Sequence, residues 1–178
     1  MKVLDLFSGL GGFSQAFSER GHDVVTIDID RSFRPTIQAD LMKPPIKKGA
    51  GFDVVLASPP CEEFSRDYMP WLSGDPEKGM VLVHAAKRII DEIDPEFWVI
   101  ENVRGAVKYF KPLLGNYRQR CGSRYLWGKF PFFPCEHKKC YGKEKLPPSE
   151  MRKALRGVIP YEISLNLCMV IENERGWY

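Results

Sequence analysis

Four short apolar runs, at residues 2–7, 24–29, 52–57 and 97–100, alternate with segments of helical spacing, and this alternation constrains the fold more than any other feature. Each run is a continuous stretch rich in Val, Ile and Leu, the pattern of a strand buried on both faces. The expected fold is therefore α/β, a mostly parallel sheet with helices on both faces. A Gly-rich turn at residues 8–12 leads into a helix carrying Phe13, Ala16 and Phe17 on one face, and Gly21 ends it. Pro44, Pro45, Gly49 and Gly51 punctuate a loop. Val81, Val83, Ala85, Ala86, Ile89, Ile90 and Ile93 predict a helix over 79–93, closed by Pro95.

Beyond Arg104 the pattern is less regular. Residues 125–133 hold one or two strands, 135–148 read as a basic loop, Ser149 caps a helix over 149–155, and 163–171 form a last helix. At 178 residues and 20.5 kDa the chain, residues 1–178, is expected to be a single domain.

In open parallel sheets ligands bind beyond the carboxyl ends of the strands, where Asp5, Asp28, Cys61 and Glu101 all fall. Cys61 stands in Ser58-Pro59-Pro60-Cys61, a proline-framed turn directly after a buried run, so its sulfur is aimed outward. Glu101, at the end of another strand, can meet the same substrate, a geometry suited to covalent catalysis. The small residues of Asp5-Leu6-Phe7-Ser8-Gly9-Leu10-Gly11-Gly12 let a cofactor approach backbone and helix N-terminus. Asp28 is placed to accept hydrogen bonds from both hydroxyls of a ribose, a device that serves a nicotinamide dinucleotide or an adenosyl cofactor equally well. The hydroxyl of Ser65 reads as a turn cap, and Arg66 and Arg104 as phosphate contacts.

A net charge of +3 conceals a strong asymmetry. From Arg104 to Arg156 there are 14 Lys or Arg against three acids, interleaved with Tyr109, Tyr117, Tyr125, Trp127 and Phe130. Cations neutralise phosphates and rings stack on bases, so the segment 104–156 is a candidate nucleic-acid groove. No apolar run approaches the roughly 20 residues that span a bilayer, and Met1-Lys2 leads straight into a strand, so a cytoplasmic protein without membrane contact is expected. Five cysteines, Cys61, Cys121, Cys135, Cys140 and Cys168, are an odd number, so no disulfide framework is expected. Cys135, His137 and Cys140 have the donor types of a zinc site, but beyond Cys121 no fourth ligand is evident; a solvated loop without metal is the expectation.

Together these residues resemble a family, the cytosine carbon-5 DNA methyltransferases. Residues 5–13 look like its first motif, Ile27-Asp28-Ile29-Asp30 like the second, and Asp40-Leu41 like the adenine-contacting third. Pro60-Cys61 with Phe64-Ser65 resembles the catalytic Pro-Cys loop, and Glu101-Asn102-Val103 matches the Glu-Asn-Val motif. The resemblance runs without a gap over the first 105 residues or so and implies a Rossmann-like, S-adenosylmethionine-dependent methyltransferase fold. It also implies methyl transfer to carbon 5 of cytosine in DNA, with RNA as the alternative substrate because one branch of the family modifies tRNA.

In that reading Cys61 adds to ring carbon 6, Glu101 holds a proton on ring N3, and Asn102 fixes the Pro-Cys loop through its amide. An arginine contacting cytosine O2 is carried over to Arg120 or Arg124. Asp5, Phe7, Ser8, Gly9, Gly11, Gly12, Phe13, Asp28, Ile29, Asp40, Leu41, Pro59 and Pro60 are carried over as cofactor contacts. Two departures stand out. Glu62 occupies a position where the family usually has Gln, and only residues 129–155 are available for target recognition, so the chain reads as a minimal catalytic core. Two further readings follow: a partner protein that supplies recognition, or a cofactor- and nucleic-acid-binding module without turnover of its own.

Overall fold

The computed structural model describes residues 1–65, 74–135, 155 and 157–176. Strands β1 (Lys2–Leu6), β2 (Asp23–Asp28), β3 (Ile37–Gln38), β4 (Val54–Ala57), β5 (Phe97–Val103), β6 (Gln119–Cys121) and β7 (Arg124–Lys129) form one sheet in the order β3-β2-β1-β4-β5-β7-β6. The pairs from β3 through β5 are parallel, whereas β7 runs antiparallel to both β5 and β6. The order reverses between β1 and β4, which opens a crevice at their carboxyl ends.

Successive strand residues point to opposite faces, and both faces are buried. Leu4, Val55, Ala57, Ile100 and Trp127 share one core with Val83, Ala86, Ile89 and Ile90 of helix α2 (Pro76–Ile93) and Phe110 of α3 (Val107–Leu114). Val3, Val54, Leu56, Val99 and Leu126 share the other with Ala16 and Phe17 of α1 (Gln15–Glu19) and Ile163, Leu167 and Ile171 of the last helix, here α4 (Tyr161–Glu174). The helix expected over 79–93 begins earlier, because Asp75 caps it by accepting from Glu77 N and Pro76 takes the first turn. Asp94, in the left-handed region at φ 52°, closes it.

Two expectations need correction or placement. Cys121 and Cys135 are joined in a disulfide, with Cα atoms 5.4 Å apart, although the cysteine count argued against such bonding. The Gln119 side chain explains the approach: it donates to Phe133 O at 2.7 Å and accepts from Phe133 N at 3.3 Å, holding residues 133–135 against β6. Among the described cysteines, Cys61 and Cys168 are free thiols. His137, Cys140, Arg66 and nearly all of the helix expected over 149–155 lie outside the described residues.

A buried ion cluster fastens α4 to the start of β2. Glu172, 6% exposed, accepts from Arg20 Nη2 at 2.6 Å and Nε at 2.9 Å, and pairs with His22 Nε2 at 2.9 Å. The amino group of Met1 lies 3.2 Å from His22 Nδ1, which leaves the ring hydrogen on Nε2 facing Glu172. Arg20 above all, then His22, holds the Glu172 carboxyl below the ordinary glutamate range. Glu172 and His22 are buried but Arg20 is exposed and keeps its hydration when the carboxylate is lost, so Glu172→Gln is expected to cost about 1 kcal/mol in urea unfolding at neutral pH. The depressed acid contributes stability above its unfolded-state range, so the difference between the two proteins should shrink as the pH falls through that range.

Candidate active site

At the end of β1 the chain turns through Phe7 (φ 57°), Gly9 (φ 49°) and Gly11 (φ 78°), left-handed positions that the two glycines accept without strain. Asp28, at the end of β2, ties down this turn: Oδ2 accepts from Gly9 N at 2.8 Å and Oδ1 from Asp30 N at 2.9 Å. Each carboxylate oxygen keeps a lone pair for a further donor. Asp30 in turn accepts from Ser32 N and caps the short turn Arg31–Phe33 that presents Phe33.

The Pro-Cys turn is anchored on both sides. Asn102 Nδ2 donates to Pro59 O at 2.9 Å, and Ser65 Oγ donates to Cys61 O at 2.8 Å, so Ser65 serves the turn as expected of its hydroxyl. Phe64 is buried edge-on against Phe110, with centroids 5.2 Å apart, and presses on Gly79 of α2 so tightly that a Cβ there would fall 2.5 Å from its ring. These contacts hold Cys61 half-buried at the mouth of the turn. Burial first, then the charge of Glu101, pushes its thiol above the ordinary cysteine range, and Arg124 opposes them.

Glu101, 1% exposed, is held through both oxygens. Arg124 Nη1 donates to Oε1 at 3.1 Å and Ser58 Oγ donates to Oε2 at 2.7 Å. Arg124 Nη2 reaches Val158 O at 3.0 Å and so draws residues 157–159 over the site. The same segment lies against Gly12, where a Cβ would fall 2.6 Å from Val158 Cγ1 and 2.8 Å from Ile159 O; only glycine admits this approach.

These elements enclose one cavity of about 480 Å³. Of the residues singled out in the sequence, Asp5, Phe7, Ser8, Gly9, Gly12, Phe13, Pro59, Pro60, Cys61, Glu101 and Arg124 line it. Asp28 and Asn102 stand behind its wall in the hydrogen bonds just described. Gly11 shapes the turn, Leu41 is buried in the core, Asp40 accepts from Met42 N, and Ile29 is 67% exposed. Between the two candidate arginines the geometry separates clearly. Arg124 meets Glu101, whereas Arg120 is exposed, with Nε on Gly122 O and its guanidinium over the Tyr125 ring. Ser58, Phe33, Ser123 and Val158 also line the cavity and escaped sequence reading. Only the Asp30-to-Ser32 cap offered a local signal for one of them, Phe33.

Residues 1–113 match the family described as C-5 cytosine-specific DNA methylase. The chain belongs to that family. Among its relatives, a probable DNA (cytosine-5)-methyltransferase of Frog virus 3 is 34% identical over 116 residues, covering 57% of this chain and 53% of the relative. A tRNA (cytosine(38)-C(5))-methyltransferase of Spodoptera frugiperda is 28% identical over 120 residues, covering 58% of this chain and 36% of the relative. A solved structure of a putative DNA modification methyltransferase from an E. coli prophage superposes with a TM-score of 0.50 at 24% identity, covering 72% of this chain and 46% of that one; it shows the shared fold. The chain spans about half or less of the length of the curated relatives it matches.

A methylase of this family draws its methyl group from S-adenosylmethionine, and the cavity fits such a ligand. Asp5 Oδ1 and Ser8 Oγ are buried, lack hydrogen-bond partners and both belong to residues lining the cavity, so they call for a polar ligand. Asp5 is fully buried, and desolvation pushes its carboxyl up to about 7 even though Ser14 Oγ donates to Oδ2 at 2.6 Å. A carboxyl raised on folding favours the native state only while it is neutral. Its contribution is complete below 3.8 and is lost as the pH rises through about 7. Asp5→Asn keeps an acceptor for Ser14 and never ionises. Urea unfolding should show the variant gaining stability over the parent between these limits, to about 4 kcal/mol by pH 8.

Proposed function

We propose that this chain transfers a methyl group from S-adenosylmethionine to carbon 5 of cytosine in DNA, with Cys61 as nucleophile. The observation that carries the reading is that Cys61, Glu101 and Arg124 line the same cavity as the Gly-rich turn after β1. Ring carbon 5 is a weak nucleophile. Addition of the Cys61 thiolate to carbon 6 makes it an enamine carbon, and Glu101 supports that addition by holding a proton at N3. Asn102 keeps the Pro-Cys turn, and therefore the sulfur, in place. Arg124, fixed on Glu101 and the Val158 carbonyl, is the cation available to the ring oxygen and to the ionised sulfur. Asp28, Phe33 and the turn from Phe7 to Gly12 would hold the cofactor, whose sulfonium supplies the methyl group. Loss of the carbon-5 proton then lets the Cys61 sulfur leave and restores the ring.

The target atom is stacked inside a duplex, so the base must leave the helix to reach a site this enclosed. Support for a nucleic-acid partner comes from residues 104–135, which hold seven cations and no acid. Arg104, Lys108, Lys111, Arg118, Arg120 and Lys129 are exposed, and Arg118 stacks 4.9 Å from the ring centre of Phe132, itself 65% exposed. Cations beside exposed rings suit a phosphate backbone with unstacked bases. A partner protein that supplies target recognition belongs to the proposal as a further reading. The tRNA-modifying relative makes RNA the second substrate to test.

DNA containing 5-fluorocytosine decides between these readings, because fluorine at carbon 5 cannot be lost and the sulfur stays bonded. Incubated with this DNA and S-adenosylmethionine, the protein is expected to form an adduct that survives denaturing electrophoresis, and Cys61→Ala to form none. An adduct only with 5-fluorocytosine tRNA would transfer the activity to RNA. Absence of any adduct, with cofactor binding intact, would leave a binding module. Asp28→Ala should weaken calorimetric binding of the cofactor about tenfold or more, as expected on losing charge-assisted hydrogen bonds.

A further inference from the structure

Glu101 is asked to carry a proton, yet both its oxygens accept hydrogen bonds, from Arg124 Nη1 at 3.1 Å and from Ser58 Oγ at 2.7 Å. A guanidinium only donates, so the Arg124 bond cannot reverse. A serine hydroxyl donates or accepts according to how it is turned. Ser58 lies on the residue before Pro59, half-buried on the cavity wall, with its backbone N–H fixed on Leu6 O at 3.2 Å. Its backbone is thereby held while its hydroxyl remains a free rotor beside a carboxylate only 1% exposed.

We infer that Ser58 is a positioning residue that sets the protonation of Glu101, donating to the carboxylate before the base arrives and accepting from the acid once Glu101 is protonated. This rests on the role proposed above for Glu101. The balance is simple. Glu101 gains one proton, delivered from the cavity, on Oε2; the Ser58 hydroxyl turns its own hydrogen into the cavity and offers a lone pair. Passing the Glu101 proton toward ring N3 restores the carboxylate, and Ser58 turns back. The bond to Ser58 thus favours the carboxylate in the free protein, and the rotor avoids a buried clash of two donors when the acid forms.

The test compares the rate of adduct formation on 5-fluorocytosine DNA for parent and Ser58→Ala across a pH series. Without the hydroxyl the carboxylate loses a donor, so the protonated acid is favoured relative to the parent. The variant-to-parent rate ratio should therefore rise with pH to a plateau about tenfold above its low-pH value, the size expected for one hydrogen bond to a charged group. Ser58→Thr, which retains the hydroxyl, should give a ratio that does not change with pH. Ser58→Val, which has the shape of threonine without its hydroxyl, should rise as Ser58→Ala does and covers the case in which alanine disturbs the fold. A flat ratio for both Ser58→Ala and Ser58→Val would reduce Ser58 to a structural contact and overturn the inference while the Cys61 chemistry stands. A parent that forms no adduct at any pH would overturn the proposed function and this inference with it.

Discussion

A carboxylate sealed at the carboxyl edge of a sheet is costly unless its oxygens are satisfied and its charge is matched, and in this molecule that carboxylate is Glu101. The match comes from β7. Val103 pairs with Arg124 across the β5–β7 ladder, so Arg124 stands diagonal to Glu101, two residues back on the same face. A parallel neighbour would have entered β5 from the other end and presented its own carboxyl terminus there. The antiparallel insertion of β7 between β5 and β6 is thus what delivers a guanidinium to the acid. Gly128 lets that strand approach, since at φ 141° a Cβ would lie only 2.0 Å from Trp98 O.

The Gly-rich end of the cavity depends on a different long-range closure. Residues 157–159 come back from far along the chain to lie on Gly12 and to accept from Arg124. They are held there because α4 follows immediately and is fixed to α1 by Ser164, whose Oγ donates to Phe13 O at 2.7 Å and accepts from Ala16 N at 3.1 Å. The ion cluster of Arg20, His22 and Glu172 secures the other end of the same helix. The Gly-rich turn and the final helix therefore form one mechanical unit, and a disturbance in either reaches the cavity.

The parallel half of the sheet was legible in the sequence because strands buried on both faces need uninterrupted apolar runs, and the four runs fall on β1, β2, β4 and β5 with small shifts at their ends. β5 outran its run: Glu101 and Asn102 are polar, so the apolar pattern stopped before them, yet both pair with β7. Cys61, the Gly-rich turn and Asp28 were readable because each sits within a few residues of a strand end. The rest depends on contacts between distant segments. The choice of Arg124 over Arg120 depends on ladder register, and the Cys121–Cys135 bond on Gln119 drawing an irregular segment onto an edge strand. Ser58 carries no pattern of its own; its meaning comes from Glu101, 43 residues later.

The charge around Cys61 bears on how such a thiol is kept safe. Burial, Glu101 and Glu62 all raise its proton affinity, and Arg124 alone among the named causes with a charged side chain lowers it. The free protein therefore holds Cys61 chiefly as a thiol, and only the thiolate is a strong nucleophile. A bound base changes this balance. In the proposed reaction the base binds while Glu101 carries its proton, so the negative charge that most opposes sulfur ionisation after burial itself is absent until that proton passes to N3. That neutral acid would leave Arg124 opposed by Glu62 alone among the named charges, so under the proposed mechanism the form of Glu101 that the base requires is also the form that favours the thiolate. Glu62, where the resemblance leads one to expect an uncharged Gln, adds to the restraint on the thiol whether Glu101 is charged or neutral.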